Sequence, residues 1–559
     1  MPPKLSLNDV EIAPSDLPDT FADFKKNKVH NIVQEQVINN EVYNGVRKLY
    51  CPESHFMSIE NILEAVNSLK NKKCEGHDRI PQMILIDGIE ILKFPLSYLF
   101  NQIYNQKKIP EQWLIAKVIP ILKKGQNTKI ENYRPISNLC STSKIFEKLI
   151  LQRINKIEII KNIDLTGKPQ HGFKKKHSTS TAGIKLQSIL ARALNDNNYA
   201  IMATLDLSSA FDVVNVELLL KRLRVMGLPR DIITLLSEWL TNRYFYVSLE
   251  GENSYVHHCG VGTVQGSILG PILYALFVSP VFDLASMTMF ADDNYVIKWH
   301  KHLNLLLDEI KQTLETIIKW FKESGLKVND EKTVMCLFYK NDIAPITITI
   351  NTKQITSLPT MNVLGVIFDS KLNWQIHIET ATKKAHKALQ AIKLIRPFMQ
   401  KSELLTIIRS NFFSILYYNA DIWLLPSLKQ LLKSKLLSTS SAALKLCYHG
   451  CDRSVSFERL HNVLKYPTPQ QTCEFNHAIL LHKIYNDPTE SQNWLDLFFN
   501  QNFNSRYSKV NFYDTSKNKP GKNILANRFV VINQKIHYNW LNLPMSKYKS
   551  LCRKEFLTD

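Results

Sequence analysis

Residues 199–212 read YAIMATLDLSSAFD, and the interpretation of this stretch decides the rest of the chain. The run up to Leu205 is nearly all apolar and does not alternate, which is the pattern of a strand covered on both faces. Asp206 closes it. A carboxylate at the end of a buried strand lies at a sheet edge, facing a crevice. The plainer alternative is a strand-end Asp that caps the following helix, the commoner role of a lone Asp.

A second acidic feature follows 86 residues later. Asp292 and Asp293 stand in SMTMFADDNYVIKW, residues 286–299. Two apolar arms flank three turn-forming residues, so the segment reads as a β-hairpin with acids at its tip. Adjacent carboxylates cost little on a solvated surface, and a solvated tip is the ordinary reading of such a pair. Between buried arms they need a cation. A hard divalent ion takes oxygen ligands, and Mg²⁺ suits one or two carboxylates together with substrate phosphates.

Between these acids lies a concentration of glycine. The chain has 17 glycines, and four fall in GVGTVQGSILGP, residues 260–271. Glycine permits close backbone approach or positive φ, so the segment is either a sharply turning loop or backbone laid against a ligand. The apolar run that follows, Ile268 to Phe282, is about fifteen residues long and contains Gly270, Pro271 and Pro280. It falls short of the ~20 residues needed to cross a bilayer and reads as core.

Working outward, residues 58–70 predict an amphipathic helix capped by Ser58, with Ile59, Ile62, Val66 and Leu69 as its stripe. Residues 113–123 predict a strand broken by Pro120, and residues 143–154 a helix. The clearest helix runs from Leu303 to about Ser324. Leu303, Leu307, Ile310, Leu314, Ile317 and Phe321 step by threes and fours, and Gly325 occupies the C-cap position. Strand-like segments at 345–350 and 362–368 follow, and from about Thr380 the pattern is helical and basic.

Composition is that of a globular protein: 559 residues, 45% hydrophobic and 21% charged, which excludes wholesale disorder. Nine scattered cysteines and a start without an apolar leader fit a reduced intracellular chain. The formal charge is +20, and its distribution is informative. Residues 1–100 carry −3, 101–200 carry +12, 201–300 carry −4, 301–375 carry +1 and 376–559 carry +14. A slightly acidic centre between two basic regions suits two cationic jaws gripping phosphates around a cation-binding site. It makes nucleic acid the better partner and an anionic membrane the poorer one. Cys447-x3-Cys451 and Cys473-x3-His477 imitate a zinc site, but the spacing matches no common knuckle and the arms fall in helical sequence, which argues against zinc.

LDLSSAFD (205–212), VQGSILGP (264–271) and FADD (290–293), in that order, resemble the catalytic motifs of reverse transcriptases of non-LTR, LINE-type retrotransposons. KVIPILKKGQNTKIENYRPISNLCSTSKIFEKLI (117–150) and QHGFKKKHSTSTA (170–182) resemble the family's preceding motifs. WFKESGLKVNDEKT (320–333) and NVLGVIFDSKLNWQIHI (362–378) resemble the two that follow. SLKNKKCEGHDRIPQMIL (68–85) resembles the N-terminal extension, and YNWLNLPMSKYKSLCRKEF (538–556) resembles the tail of jockey-like members. The likeness covers residues 58–375 well and the remainder loosely.

The resemblance implies an α+β right-hand polymerase. Residues 1–105 would be a helical N-terminal extension, 106–375 fingers and palm, and 376–559 a thumb and basic helical C-terminal region. It implies RNA-templated DNA synthesis from a primer, target-primed in the family, with dNTPs, a DNA primer and an RNA template as partners, no membrane, and a nuclear setting. Two Mg²⁺ ions, or Mn²⁺ in their place, would be held by Asp206, Asp292 and the Leu207 carbonyl, with Asp293 assisting. Phe211 would lie under the sugar and exclude a 2′-hydroxyl. Gln265 and Gly266 would line the nucleotide pocket, Arg134 would meet the triphosphate or base, and Lys332 would protonate pyrophosphate. The structural alternatives are a core Phe211, a helix start at Gln265–Gly266 and a solvated Lys332. Lys117 and Lys123 are weaker phosphate candidates, and Lys174–Lys176 would follow the template. Asp212, Leu364, Gly365 and Val366 would be structural or primer-supporting.

The residues ahead of Ser58 are too few for the endonuclease that full-length members carry, and no RNase H signature is visible, so the expectation is a polymerase lacking the endonuclease. Its rivals are a silent or host-adopted nucleic-acid-binding remnant, disfavoured by the intact acids, and a maturase-like RNA chaperone.

Overall fold

The structure is a computed structural model that describes residues 5–7, 10–34, 57–69, 73–123, 125–157, 169–174, 177–424, 428–447, 457–464, 467–486, 540–541 and 543–557. Helix and sheet are mixed, and the chain divides into two compact units. One comprises Met1–Phe173, Asp206–Ala285 and Thr316–Asp330; the other comprises Lys174–Leu205, Ser286–Glu315 and Glu331–Asp559.

The first unit is built on a sheet in the order Tyr133–Asn138, Ile115–Leu122, Tyr244–Leu249, Glu252–Asn253, with His257–His258 also pairing with Tyr244–Leu249. Ile115–Leu122 runs parallel to Tyr244–Leu249 and antiparallel to Tyr133–Asn138. Its even positions, Ala116 and Val118, are buried, and they join Ile130, Phe245 and Val247 in a small core closed by Leu17, Phe21 and Ala22 of the helix Leu17–Gln34. Contrary to the sequence expectation, Pro120 does not break the strand. The parallel partner ends at Val118, so Pro120 has a neighbour on one side only, and that neighbour is Pro135. Neither proline has an N–H to leave unsatisfied, and the edge position is where a strand tolerates proline.

The helix Ile59–Asn67 forms where its periodicity placed it. Ser58 accepts from the Asn61 N–H, and Ile62, Ala65 and Val66 face inward. The helix Ser141–Lys156 follows the second strand and buries Ser143, Glu147, Ile150 and Ile154 on one face. The run from Gly270 to Val278 is a buried helix, and among the described residues no helix is long and apolar enough to cross a membrane.

The second unit contains an antiparallel sheet in the order Val334–Phe338, Tyr199–Leu205, Asp293–His300, Met287–Phe290. Tyr199–Leu205 is central, which explains its unbroken apolar run: Ala200, Ile201, Met202, Ala203 and Leu205 are all buried. The long helix spans Leu303–Glu323, and Gly325 follows with φ 73°. The expected single strand at 362–368 is instead a hairpin, Thr360–Val363 with Val366–Asp369, turning at Leu364 and Gly365, both at positive φ. Leu at positive φ is uncommon, so nothing in the sequence marked Leu364 as a turn residue. Helices from Gln375 onward complete an apolar core that includes Phe368, Trp374, Phe412 and Trp423.

Candidate nucleotide and metal site

The carboxylates fall at the ends of paired strands. Met287–Phe290 and Asp293–His300 form the expected hairpin, registered Asp293 to Phe290. The turn is Ala291-Asp292, with Ala291 at φ 57°, and Asp293 already opens the return strand. Asp292 is half-buried and Asp293 exposed. Asn294, expected in the turn, is buried in the strand and donates through Nδ2 to the Leu205 carbonyl (2.9 Å) and the Asp292 carbonyl (2.8 Å). Leu205 and Asn294 are register partners. The residue after Leu205 in the chain is Asp206, and the residue before Asn294 is Asp293.

Behind the hairpin, the Tyr295 hydroxyl accepts from the Leu364 N–H (3.3 Å). Burial raises the Tyr295 phenol above its ordinary range, helped by the Asp293 carboxylate, so it stays protonated. His377 accepts at Nδ1 from the Ile367 N–H (3.2 Å), and its ring meets Trp423 edge-on at 5.2 Å. Burial lowers its pKa to about 4, and Lys384 adds to the effect.

In the first unit, Asp206 and Leu207 begin a segment tied to Lys327–Asn329. The Asn329 N–H donates to the Asp206 carbonyl (2.7 Å), and the Ser208 N–H donates to the Lys327 carbonyl (2.9 Å). Leu207 bridges antiparallel to Val328, and the Asp206 side chain is half-buried. Phe211 packs on Tyr274 (4.4 Å between centroids) and edge-on against Phe173 (5.7 Å).

The glycine-rich loop is laid against backbone. The Gly262 and Thr263 N–H groups donate to the Val214 (2.8 Å) and Phe211 (2.6 Å) carbonyls, and the Gln265 carbonyl accepts from the Ser137 N–H (3.0 Å). Gly266 has φ 109°, and a Cβ there would fall 2.3 Å from the Ser137 oxygen. Gly262 has φ 83°, and its Cβ would fall 2.5 Å from the Asp212 oxygen. The scarce glycines therefore let three chain segments meet: the Phe211–Asp212 turn, the Gln265 loop and the strand bearing Arg134. Gln265 is half-buried and donates through Nε2 to Asp212 Oδ2 (2.9 Å). Burial pushes the Asp212 carboxyl up, against the pull of Lys25, Lys28 and Arg134.

The sequence reading passed over Glu147. This side chain is 1% exposed and reaches from its helix to accept from the Ile268 (2.7 Å) and Leu269 (3.3 Å) N–H groups, just ahead of the Gly270–Val278 helix. Burial pushes its carboxyl up, opposed by the Arg243 guanidinium and these two N–H groups. A signal existed: Glu147 lies on the stripe Ser143, Glu147, Ile150, Ile154, where an apolar residue belongs.

The remaining candidates are more scattered. Arg134 is exposed on Tyr133–Asn138. Lys117 pairs with Glu75 at 3.5 Å. Lys123 is exposed, and so is Lys332, in the second unit. Of Lys174–Lys176, Lys175 and Lys176 lie outside the described residues, as does Cys451. Cys447 sits in the core with its thiol pushed up to about 11 by burial, and His477 Nε2 lies 3.2 Å from the Asp421 carbonyl. Among the described residues no three His, Cys, Asp or Glu side chains are gathered as a metal site. The acids nonetheless fit Mg²⁺ in chemistry, since that ion takes few protein carboxylates and completes its shell with water and phosphate.

Residues 121–368 match the family described as reverse transcriptase (RNA-dependent DNA polymerase). Over 379 residues the chain is 28% identical to the "Probable RNA-directed DNA polymerase from transposon BS" of Drosophila melanogaster, covering 66% of this chain and 41% of that protein. Over 336 residues it is 29% identical to the "RNA-directed DNA polymerase from mobile element jockey" of the same organism, covering 58% and 36%. It is 26% identical over 477 residues to the "Probable RNA-directed DNA polymerase from transposon X-element", covering 83% and 51%. The chain thus spans about half or less of these relatives. The matched segment begins within the Ile115–Leu122 strand and ends within the Val366–Asp369 strand, so it contains both acid-bearing strand ends and the glycine-rich loop.

Proposed function

We propose that this chain is an RNA-directed DNA polymerase of a non-LTR retrotransposon. It extends a DNA primer 3′-hydroxyl with dNTPs on an RNA template, target-primed and in the nucleus. The observation that carries the reading is the Leu205–Asn294 register, because it pairs the strand that leads into Asp206 with the strand that Asp293 opens. The sheet of the second unit serves as the palm floor, the Tyr133–Asn138 region as fingers, and the helices beyond Gln375 as thumb.

In this reading Asp206, Asp292 and the Leu207 carbonyl hold divalent ions, and Asp293 assists. Two Mg²⁺ ions, or Mn²⁺, supply charge stabilisation to the attacking and leaving oxygens of an in-line displacement. The remaining work belongs to the chain. Phe211, fixed between Tyr274 and Phe173, supports the sugar face of the nucleotide and leaves no room for a 2′-hydroxyl. Gln265 and Gly266 line the nucleotide pocket. The exposed Arg134 presents a planar, two-pronged donor to the triphosphate. Lys332 delivers a proton to pyrophosphate. The basic regions on either side bind phosphates, so RNA affinity falls steeply with salt through counterion release.

The test is primer extension on an RNA template with Mg²⁺, comparing the wild type with Asp292→Asn. The reading predicts metal-dependent dNTP incorporation that the variant lacks. Absent incorporation by the wild type with RNA binding intact overturns it in favour of a binding remnant. A flat salt response removes the clamp argument.

A further inference from the structure

Three features of the Gln265 loop are unexplained by the catalytic scheme: the bond from Gln265 to Asp212, the pressure of Gly262 on the Asp212 backbone, and the cations that face Asp212. Asp212 sits at a turn in which its own N–H donates to the Ser209 carbonyl (2.8 Å). Gly262 approaches so closely that any side chain there would strike the Asp212 carbonyl. The Asp212 backbone is thus fixed by its neighbours. Asp212 Oδ2 meets the Gln265 amide at 2.9 Å. Lys25 and Lys28, on the Leu17–Gln34 helix, line a cavity together with Tyr133, Ser209 and Asp212, and with Arg134 they oppose the burial that pushes the Asp212 carboxyl up.

The chemistry of this pair has a directional consequence. Asp212 Oδ2 is the acceptor in this bond, whereas a glutamine amide offers a donor end and an acceptor end. Asp212 therefore takes the Gln265 nitrogen and turns the Gln265 oxygen the other way. Without that partner the amide is free to rotate and present either end.

We propose that Asp212 is a positioning residue for nucleotide selection: it locks the Gln265 amide so that its oxygen faces the pocket and accepts from a hydroxyl or amino donor of the incoming nucleotide. This rests on the polymerase reading given above. A pocket that presents an acceptor favours a donor-bearing sugar or base and disfavours phosphate oxygens, which only accept. Phosphate is left to the cations on either side, Lys25, Lys28 and Arg134.

A double-mutant cycle on the full chain tests this: wild type, Asp212→Asn, Gln265→Met and the double variant. Equilibrium binding of dATP with Mg²⁺ is measured alongside KM and kcat in primer extension. Asp212→Asn preserves a hydrogen-bonding partner but accepts either amide orientation. It is expected to raise the dATP Kd and KM about tenfold, with kcat changed less than threefold and the melting temperature unchanged, as for loss of one oriented hydrogen bond. In the Gln265→Met background the same substitution should add nothing, because its effect passes through Gln265. Equal losses in both backgrounds, or wild-type affinity in Asp212→Asn, overturn the proposal while leaving the polymerase reading in place. Binding without extension overturns the polymerase reading and leaves this one. A wild type that neither binds nor extends removes both.

Discussion

The Gln265 loop and the Asp292 hairpin bring function-bearing residues into place by opposite means. The hairpin is a local object: one tight turn between two paired strands fixes its tip, and register does the rest. The loop has no regular structure of its own. Val214, Phe211 and Ser137 hold its backbone, Asp212 holds its side chain, and Glu147 holds its exit into the next helix. A buried carboxyl, Glu147, holds the end of the loop, whereas the buried imidazole of His377 takes the Ile367 N–H in the separate Thr360–Asp369 hairpin. A site can thus be positioned through sheet register, which tolerates substitution at the tip, or through contacts distant in sequence, which do not.

The largest expected effect tests the tolerance of the hairpin. Asp292 is half-buried at the turn and lies outside the paired register, which begins at Asp293. Asp292→Asn should leave the melting temperature within about 1 °C while lowering primer extension by about 10³-fold. That factor corresponds to the several kcal/mol of charge stabilisation lost with a metal-holding carboxylate, at 1.36 kcal/mol per decade. A comparable loss of folded protein would mean that the tip is structural after all.

Two buried ionisable groups, one in each compact unit, respond to pH with opposite sign. His377 has a folded pKa of about 4 against 6.5 ordinarily, so the unfolded chain binds the extra proton between those values. The stability that depends on a neutral His377 is complete above pH 6.5 and is lost as pH falls toward 4, by about 3 kcal/mol. Glu147 has the opposite sign. Its folded pKa lies above 4.5, so the folded chain keeps its proton longer and stability declines as pH rises past 4.5. Denaturant midpoints across pH should show His377→Gln flattening the acid limb and Glu147→Gln flattening the decline above it. The same slope in both variants would place the pH dependence elsewhere.

Glycine substitution probes the loop at smaller cost. Gly266→Ala forces a Cβ against the Ser137 oxygen at positive φ and should destabilise by about 2 kcal/mol, read from urea midpoints. The shift of the Ser137–Gln265 backbone bond should weaken dATP binding in the same variant. A variant as stable as the wild type would show that the approach of these two segments is not required.

How much of this was legible in sequence follows from the same contrast. Ser58, the Leu303–Glu323 stripe, Gly325 and the FADD hairpin are set by interactions within a few residues, and the sequence carries them openly. The glycines at 262 and 266 announced a close approach without naming the partner, which proved to be the chain's own backbone. Glu147 and Asp212 act on residues 121 and 53 positions away. Nothing local distinguishes such carboxylates from surface acids, apart from the misplaced polarity of Glu147 within its stripe. Pro120 misled for a related reason: whether proline interrupts a strand depends on which neighbours the strand has at that point.

The hairpin, too, has one tie that its own sequence does not reveal, and its strength sets how independent the tip is. The Tyr295 hydroxyl accepts from the N–H of Leu364, a turn residue 69 positions away held at φ 50°. Tyr295→Phe removes the acceptor, keeps the ring in the core and leaves that N–H without this partner, which should cost about 1 kcal/mol in urea unfolding. Because strand pairing with Tyr199–Leu205 continues on both sides of Tyr295, dNTP incorporation should change by less than twofold. A larger loss of activity at so small a cost in stability would mean that the Leu364–Gly365 turn, rather than register alone, sets the carboxylates, and the hairpin would then belong with the loop among sites held through distant contacts.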